Sequence, residues 1–193
     1  MPLVLALVAP ARAVEVPGSG GRLTLGGWLD GLAVAETEDS PRERPRALLD
    51  LHLDGEATRW LRGRLALRTR AGGPFEGGHP GVLELNHEYQ NRSPSLEVNE
   101  AWTEVRMRRA DVRLGVQKVA WGKLDGIPPT DVLNPRDYHD PLIEDFEERK
   151  IGIPMAVGTY YLPDVAALAL RELRATLIWI PIAVPPRLAL IKE

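Results

Sequence analysis

The chain has 193 residues, 44% of them hydrophobic and 26% charged, which suits one folded domain and excludes a disordered chain. Gly 18 and Pro 17 without a G-X-Y period exclude collagen and imply frequent turns. A net charge of -3 excludes the basic field of a nucleic-acid binder, and the absence of cysteine excludes disulfides, thiolate metal sites, covalent c-type haem attachment and cysteine nucleophiles.

At the N-terminus, Leu3 to Ala9 is an apolar run, and Ala11-Arg12-Ala13 places small residues where a signal peptidase accepts them. Residues 1–13 read as a signal peptide cut before Val14, or else as an apolar N-terminal strand. The remaining residues, 14–193, read as one domain. No stretch is long and apolar enough to cross a bilayer as a helix, so a membrane reading must rest on strands.

From residue 22 the chain alternates. Leu23, Leu25, Leu29 and Ala33 share one face against Arg22, Thr24, Trp28 and Asp30. Ala47, Leu49, Leu51 and Leu53 oppose Arg46, Asp50, His52 and Asp54, and Leu61, Leu65 and Leu67 oppose Arg62, Arg64, Arg68 and Arg70. Ala101, Thr103, Val105 and Met107 then oppose Glu100, Trp102, Glu104, Arg106 and Arg108, and Val112, Leu114 and Val116 oppose Arg113 and Gln117. Ile151 to Tyr161 and Thr176 to Val184 predict two more strands, with a short extra one over Val82 to Tyr89 and a small helix over Pro163 to Leu173. The connections alternate in length. Glu36 to Pro45, Ala71 to Ser95 and Gly122 to Lys150 are long, whereas Gly55 to Thr58 and Arg109-Ala110 are short. That asymmetry fits an antiparallel up-and-down meander of the kind found in outer-membrane barrels. A soluble sandwich alternates too, but polar faces this dense in arginine and carboxylate suit a wet lumen better than bulk water.

Arg113-Leu114-Gly115-Val116-Gln117 with Trp121-Gly122, then Asp125-Gly126-Ile127-Pro128-Pro129-Thr130-Asp131-Val132-Leu133-Asn134-Pro135-Arg136-Asp137-Tyr138, form a distinctive run, entered through Asn99-Glu100-Ala101-Trp102. This run resembles the porin-like outer-membrane barrels of proteobacteria, distant relatives of the alginate-export barrels. The resemblance covers about Leu96 to Leu162, with Trp179-Ile180-Pro181 and Pro185-Pro186-Arg187-Leu188 similar as well. It implies an all-β chain that is the N-terminal, incomplete part of a larger transmembrane β-barrel.

The expected pore lining is Arg62, Arg64, Arg68, Arg70, Trp102, Arg113 and Gln117, with Leu65, Leu67, Leu114 and Val116 turned to lipid. Neutral replacement of Arg64 or Arg68 is then expected to leave assembly intact and to alter ion preference. The long loop 122–150 carries acidic residues between prolines and is expected to form a constriction through Asp125, Asp131, Arg136, Asp137 and Tyr138, facing the arginine row. Against this stands a solvated, turn-capping loop. Trp60 suits an interfacial girdle, while Trp28 and Trp102 fall on the polar face. Asp137-Tyr138-His139-Asp140 has no companion ligands that would make it a metal site, and the pairs Asp125/Asp131 and Glu100/Glu104 read as salt-bridge partners before they read as a glycosidase pair.

The expected function is a passive outer-membrane pore of a Gram-negative bacterium. It passes small solutes, touches outer-membrane lipid and no nucleic acid, performs no catalysis, needs no metal or cofactor, and is compatible with a homo-oligomer. The alternatives are a secreted all-β domain that binds or cleaves carbohydrate, and a scaffold barrel sheathing an electron-transfer partner.

Overall fold

The computed structural model describes residues 3–15, 21–35, 46–71, 95–120, 133–138, 149–163 and 173–186. These form eight strands: β1 (Leu3–Glu15), β2 (Arg22–Ala35), β3 (Arg46–Thr58), β4 (Leu61–Ala71), β5 (Ser95–Arg106), β6 (Ala110–Gln117), β7 (Ile153–Tyr161) and β8 (Arg174–Trp179). Each pairs antiparallel with its neighbours in sequence, giving one meander sheet in the order β1 to β8. Among the described residues β1 and β8 remain its two edges, so the sheet is open. No helix long and apolar enough to cross a membrane occurs among these residues.

The registers carry the alternation across the sheet without a phase error, because residues directly opposite one another point to the same side. Leu25 lies opposite Leu53, Leu53 opposite Leu65, Leu65 opposite Ala101 and Ala101 opposite Val116. We call this the leucine face. On the other side Trp28 lies opposite Asp50, Asp50 opposite Arg68 and Arg68 opposite Glu97, and a second row runs Arg22, Glu56, Arg62, Glu104, Arg113. This is the charged face. One bulge protects the phase: between Ala66 and Leu67 the β5 partner jumps from Glu100 to Val98. Asn99 is the extra residue; it is buried and its Nδ2 donates to Asp50 Oδ2 at 2.8 Å. Simple alternation back from Glu100 would have put Asn99 among the leucines and Val98 among the charges; the bulge reverses both.

Burial is inverted relative to a water-soluble sheet. Leu65, Leu114 and Leu177 are 41%, 55% and 77% exposed, while Arg68, Asp50 and Glu104 are 2%, 4% and 4% exposed. The interior of this protein lies on its charged side, together with buried Leu48, Ala66, Ile153 and Met155. Val116, expected to turn to lipid, is buried on the leucine face instead, packed close to Gly152.

Several expectations shift in detail. Residues 3–15, read as a leader or a strand, take the strand form as β1, paired with β2 from Leu3 opposite Ala35 to Glu15 opposite Thr24. Gly55 to Thr58 are the end of β3 and not a turn; the tight connection is Arg59-Trp60, because Gly55 pairs directly with Gly63. The next turn is Met107 to Arg109, so Ala110 opens β6. β8 stops at Trp179, short of Val184, and Pro181, Pro185 and Pro186 follow without the N–H a ladder needs. The expected strand over 82–89 and most of the expected helix over 163–173 lie outside the described residues.

Candidate functional site

β4 presents Arg62, Arg64, Arg68 and Arg70 on one side because they fall at even spacing, with Ala66 filling the fifth position. A row of guanidiniums on one strand repels itself unless anions lie alongside, and β3 and β5 supply them on both flanks. Arg68 Nε donates to Asp50 Oδ2 at 3.0 Å. Arg64 Nε lies 3.0 Å from Glu100 Oε2, and its Nη1 lies 3.5 Å from Asp54 Oδ1. Arg70 reaches Glu97 Oε2 at 3.1 Å. The arginine strand is thus zipped between two acidic strands.

Glu104 is the densest node. Arg62 Nε donates to its Oε1 at 2.7 Å, Arg106 Nε to the same oxygen at 3.0 Å, and Arg113 Nε to its Oε2 at 2.8 Å. Arg113 also stacks over the Trp102 ring at 4.3 Å, with Arg62 at 5.8 Å. Trp28 sits under Arg68 at 5.5 Å, so both charged-face tryptophans carry guanidinium contacts. Trp102 has room because Gly115 stands opposite it. Gly115 has φ of +128°, and a Cβ there would run into the Ala101 carbonyl oxygen, so this position requires glycine.

The Asn134-Pro135-Arg136-Asp137 turn docks on this lattice. Asn134 is buried and fully used: its Nδ2 donates to the carbonyls of Gln117 and Ile151 at 3.0 and 2.9 Å, and its Oδ1 accepts from Val119 N at 2.8 Å. A side-chain amide thereby ties the end of β6 to the approach to β7. Backbone bonds Asp137 N to Arg149 O and Ile151 N to Pro135 O, at 2.7 and 2.8 Å, hold the strap beside Lys150. Asp137 then receives Arg70 Nη2 at 3.1 Å, and both groups are buried.

The expected lining residues therefore fall on one side. Arg62, Arg64, Arg68, Arg70, Trp102 and Arg113 share the charged face with Gln117. Gln117 is wholly buried there, with Nε2 donating to Met155 O at 2.9 Å, and Arg68 and Arg70 are buried as well, so these three pack the interior and do not line open space. Of the loop residues, Asp137 meets the arginine row at Arg70, Arg136 bridges to Lys150, and Tyr138 is exposed with Arg149 over its ring. Asp125 and Asp131 lie outside the described residues. Sequence reasoning passed over Asp50, Glu97 and Asn99 as parts of this lattice, and read Asn134 only as a turn former. The acidic residues were recoverable by pairing β3 and β5 against β4 about their connections; the bulge shows as the consecutive polar pair Asn99-Glu100, where the apolar phase shifts from Leu96 and Val98 to Ala101, Thr103 and Val105.

No family profile, curated protein or solved structure matches this chain.

Proposed function

We propose that this sheet is part of an outer-membrane barrel that passes small solutes through a charged lumen, with no catalysis by the chain, as its likeness to the porin-like barrels of proteobacteria implies. One observation carries the reading: Leu25, Leu29, Leu51, Leu65, Leu114 and Leu177 are exposed on one side of the sheet, and buried arginine–carboxylate pairs lie on the other. Water punishes the first arrangement and hydrocarbon rewards it. The dimensions agree for β2 to β5 and β7, which have 9 to 14 residues, while β6 and β8 are shorter; strands of about 9–11 residues, tilted about 45°, cross the hydrocarbon core. In a bilayer the edges of β1 and β8 must find partners, and the reading assigns them to closure of the barrel, by further strands or by a second copy.

The carbohydrate-binding alternative loses support from the charged-face tryptophans, since the rings of Trp28 and Trp102 are already in contact with Arg68 and Arg113.

Planar-bilayer recordings of the envelope-purified protein test the proposal. The expectation is a steady conductance whose reversal potential in a salt gradient moves towards cations in Arg64→Gln, because Asp54 and Glu100 lose their shared counter-charge. A parent protein that carries no current overturns it. The reading also proposes export, and N-terminal sequencing of the same material distinguishes a chain starting at Val14 from one that keeps β1.

A further inference from the structure

The end of the sheet with the tight turns carries a different set of side chains from the rest of the leucine face. Arg59 and Trp60 form the β3–β4 turn and Met107, Arg108 and Arg109 the β5–β6 turn, all exposed. Arg106 N donates to Trp60 O at 2.8 Å and Tyr161 N to Arg109 O at 2.9 Å, so the two turns and the end of β7 are contiguous. Among the described residues, the guanidiniums of Arg59, Arg108 and Arg109 have no anionic partner, in contrast to the paired arginines of β4. Tyr160, on the leucine face by its register with Ala110 and Ala175, is exposed as well.

Just inside this rim the leucine face is notched. Gly55 and Gly63 lie opposite each other, and with Leu23, Leu61 and Thr103 they line a mostly apolar depression of about 420 Å³, which Arg22, Glu56 and Arg62 also border. The apolar notch thus lies just inside a rim that carries exposed Trp60 and Tyr160 and the arginines of the two turns. A phospholipid at a bilayer surface offers the matching groups: acyl chain, glycerol interface, phosphate.

We propose that the tight-turn end is a binding site for an anionic phospholipid, with one acyl chain in the Gly55–Gly63 notch and the headgroup phosphate held by Arg59, Arg108 and Arg109. Guanidinium forks suit phosphate oxygens, and free arginines beside an apolar groove have no comparable use in binding a zwitterionic surface. The inference rests on the outer-membrane reading and adds the lipid class and its location.

The test is electron spin resonance of the protein in phosphatidylcholine vesicles doped with spin-labelled phosphatidylglycerol or spin-labelled phosphatidylcholine. The motionally restricted fraction should favour phosphatidylglycerol, by up to roughly fivefold for each arginine engaged, since a basic side chain near an anionic surface contributes about 1 kcal/mol. The preference should vanish in about 1 M salt, where the screening length is about 3 Å. It should also vanish in the triple variant Arg59→Gln, Arg108→Gln, Arg109→Gln. Gly55→Ala narrows the notch, and its Cβ meets only Leu23 Cδ1 at 3.5 Å, an ordinary contact; the preference should fall there too. Equal restriction of the two lipids in the parent, or a preference unchanged in the triple variant, overturns the lipid site while leaving the barrel standing. No restricted fraction for either lipid removes the barrel reading and this proposal together. Binding of a soluble polyglutamate with no preference between the vesicle lipids assigns the arginines to an acidic protein and overturns the proposal.

Discussion

Arg68 shows what a single residue does in this lattice. It is one of the most buried side chains on the charged face, it pairs with Asp50, and Asp50 in turn holds Asn99. Removing the guanidinium leaves a buried carboxylate with one neutral donor in place of a cation, and breaking a buried pair from one side costs about 3–5 kcal/mol. Arg68→Gln should therefore destabilise the protein by roughly that amount, against the expectation from alternation alone that it would leave assembly intact. The double variant Arg68→Gln, Asp50→Asn should recover much of the loss, because neither charge is then stranded. Urea unfolding of the single variants and the double variant reads the coupling directly. Additive losses would show that the pair is not a unit. Arg64, about a third exposed and with two carboxylates to share, should cost far less when neutralised.

At the scale of the strand, the leucine face makes the corresponding prediction. Leu65 lies mid-strand in β4, between Leu53 and Ala101 across the sheet. In the proposed barrel Leu65→Arg would put a charge near the bilayer midplane and should cost about 2–4 kcal/mol in a lipid-refolding titration, whereas the same change at exposed Met107 in the turn should cost about 0–1 kcal/mol. Equal costs would mean that the leucine face does not meet hydrocarbon. The strands β2 to β6 were legible because their alternation is strict and their two faces differ so strongly in chemistry. β7 was legible as a strand but its direction was not: Ile153 and Met155 are apolar yet fall on the charged side, opposite Gln117 and Gly115, where they fill the interior near the strap. Period two marks a strand and does not say which face is inside; the partner strand's register does. Gly55 misled in the same way, since glycine signals a turn when read alone and a notch when read against its partner Gly63.

For the whole molecule, the meander topology followed from short and long connections alternating along the chain, and the strap did not. That Asp137 reaches Arg70 is a contact across 67 residues, made because Asn134 fixes the turn at the end of β6 and so aims the next three residues over the charged face. Alternation carries no information about such a contact; the acidity of the loop and the row of arginines suggested only that the two would attract.

In the proposed barrel, leucines face lipid and the charged side chains face the interior across a single layer of strands. The chain contains no cysteine, so single Cys variants report without background. The most direct measurement is fluorescence quenching of a thiol-linked dye at Leu65→Cys, Leu114→Cys and Arg64→Cys in vesicles, comparing brominated lipid with aqueous iodide. The account predicts strong quenching by brominated lipid at positions 65 and 114, and quenching by iodide alone at position 64, although 64 and 65 are adjacent in sequence. Iodide quenching at all three positions, with none from brominated lipid, would contradict it.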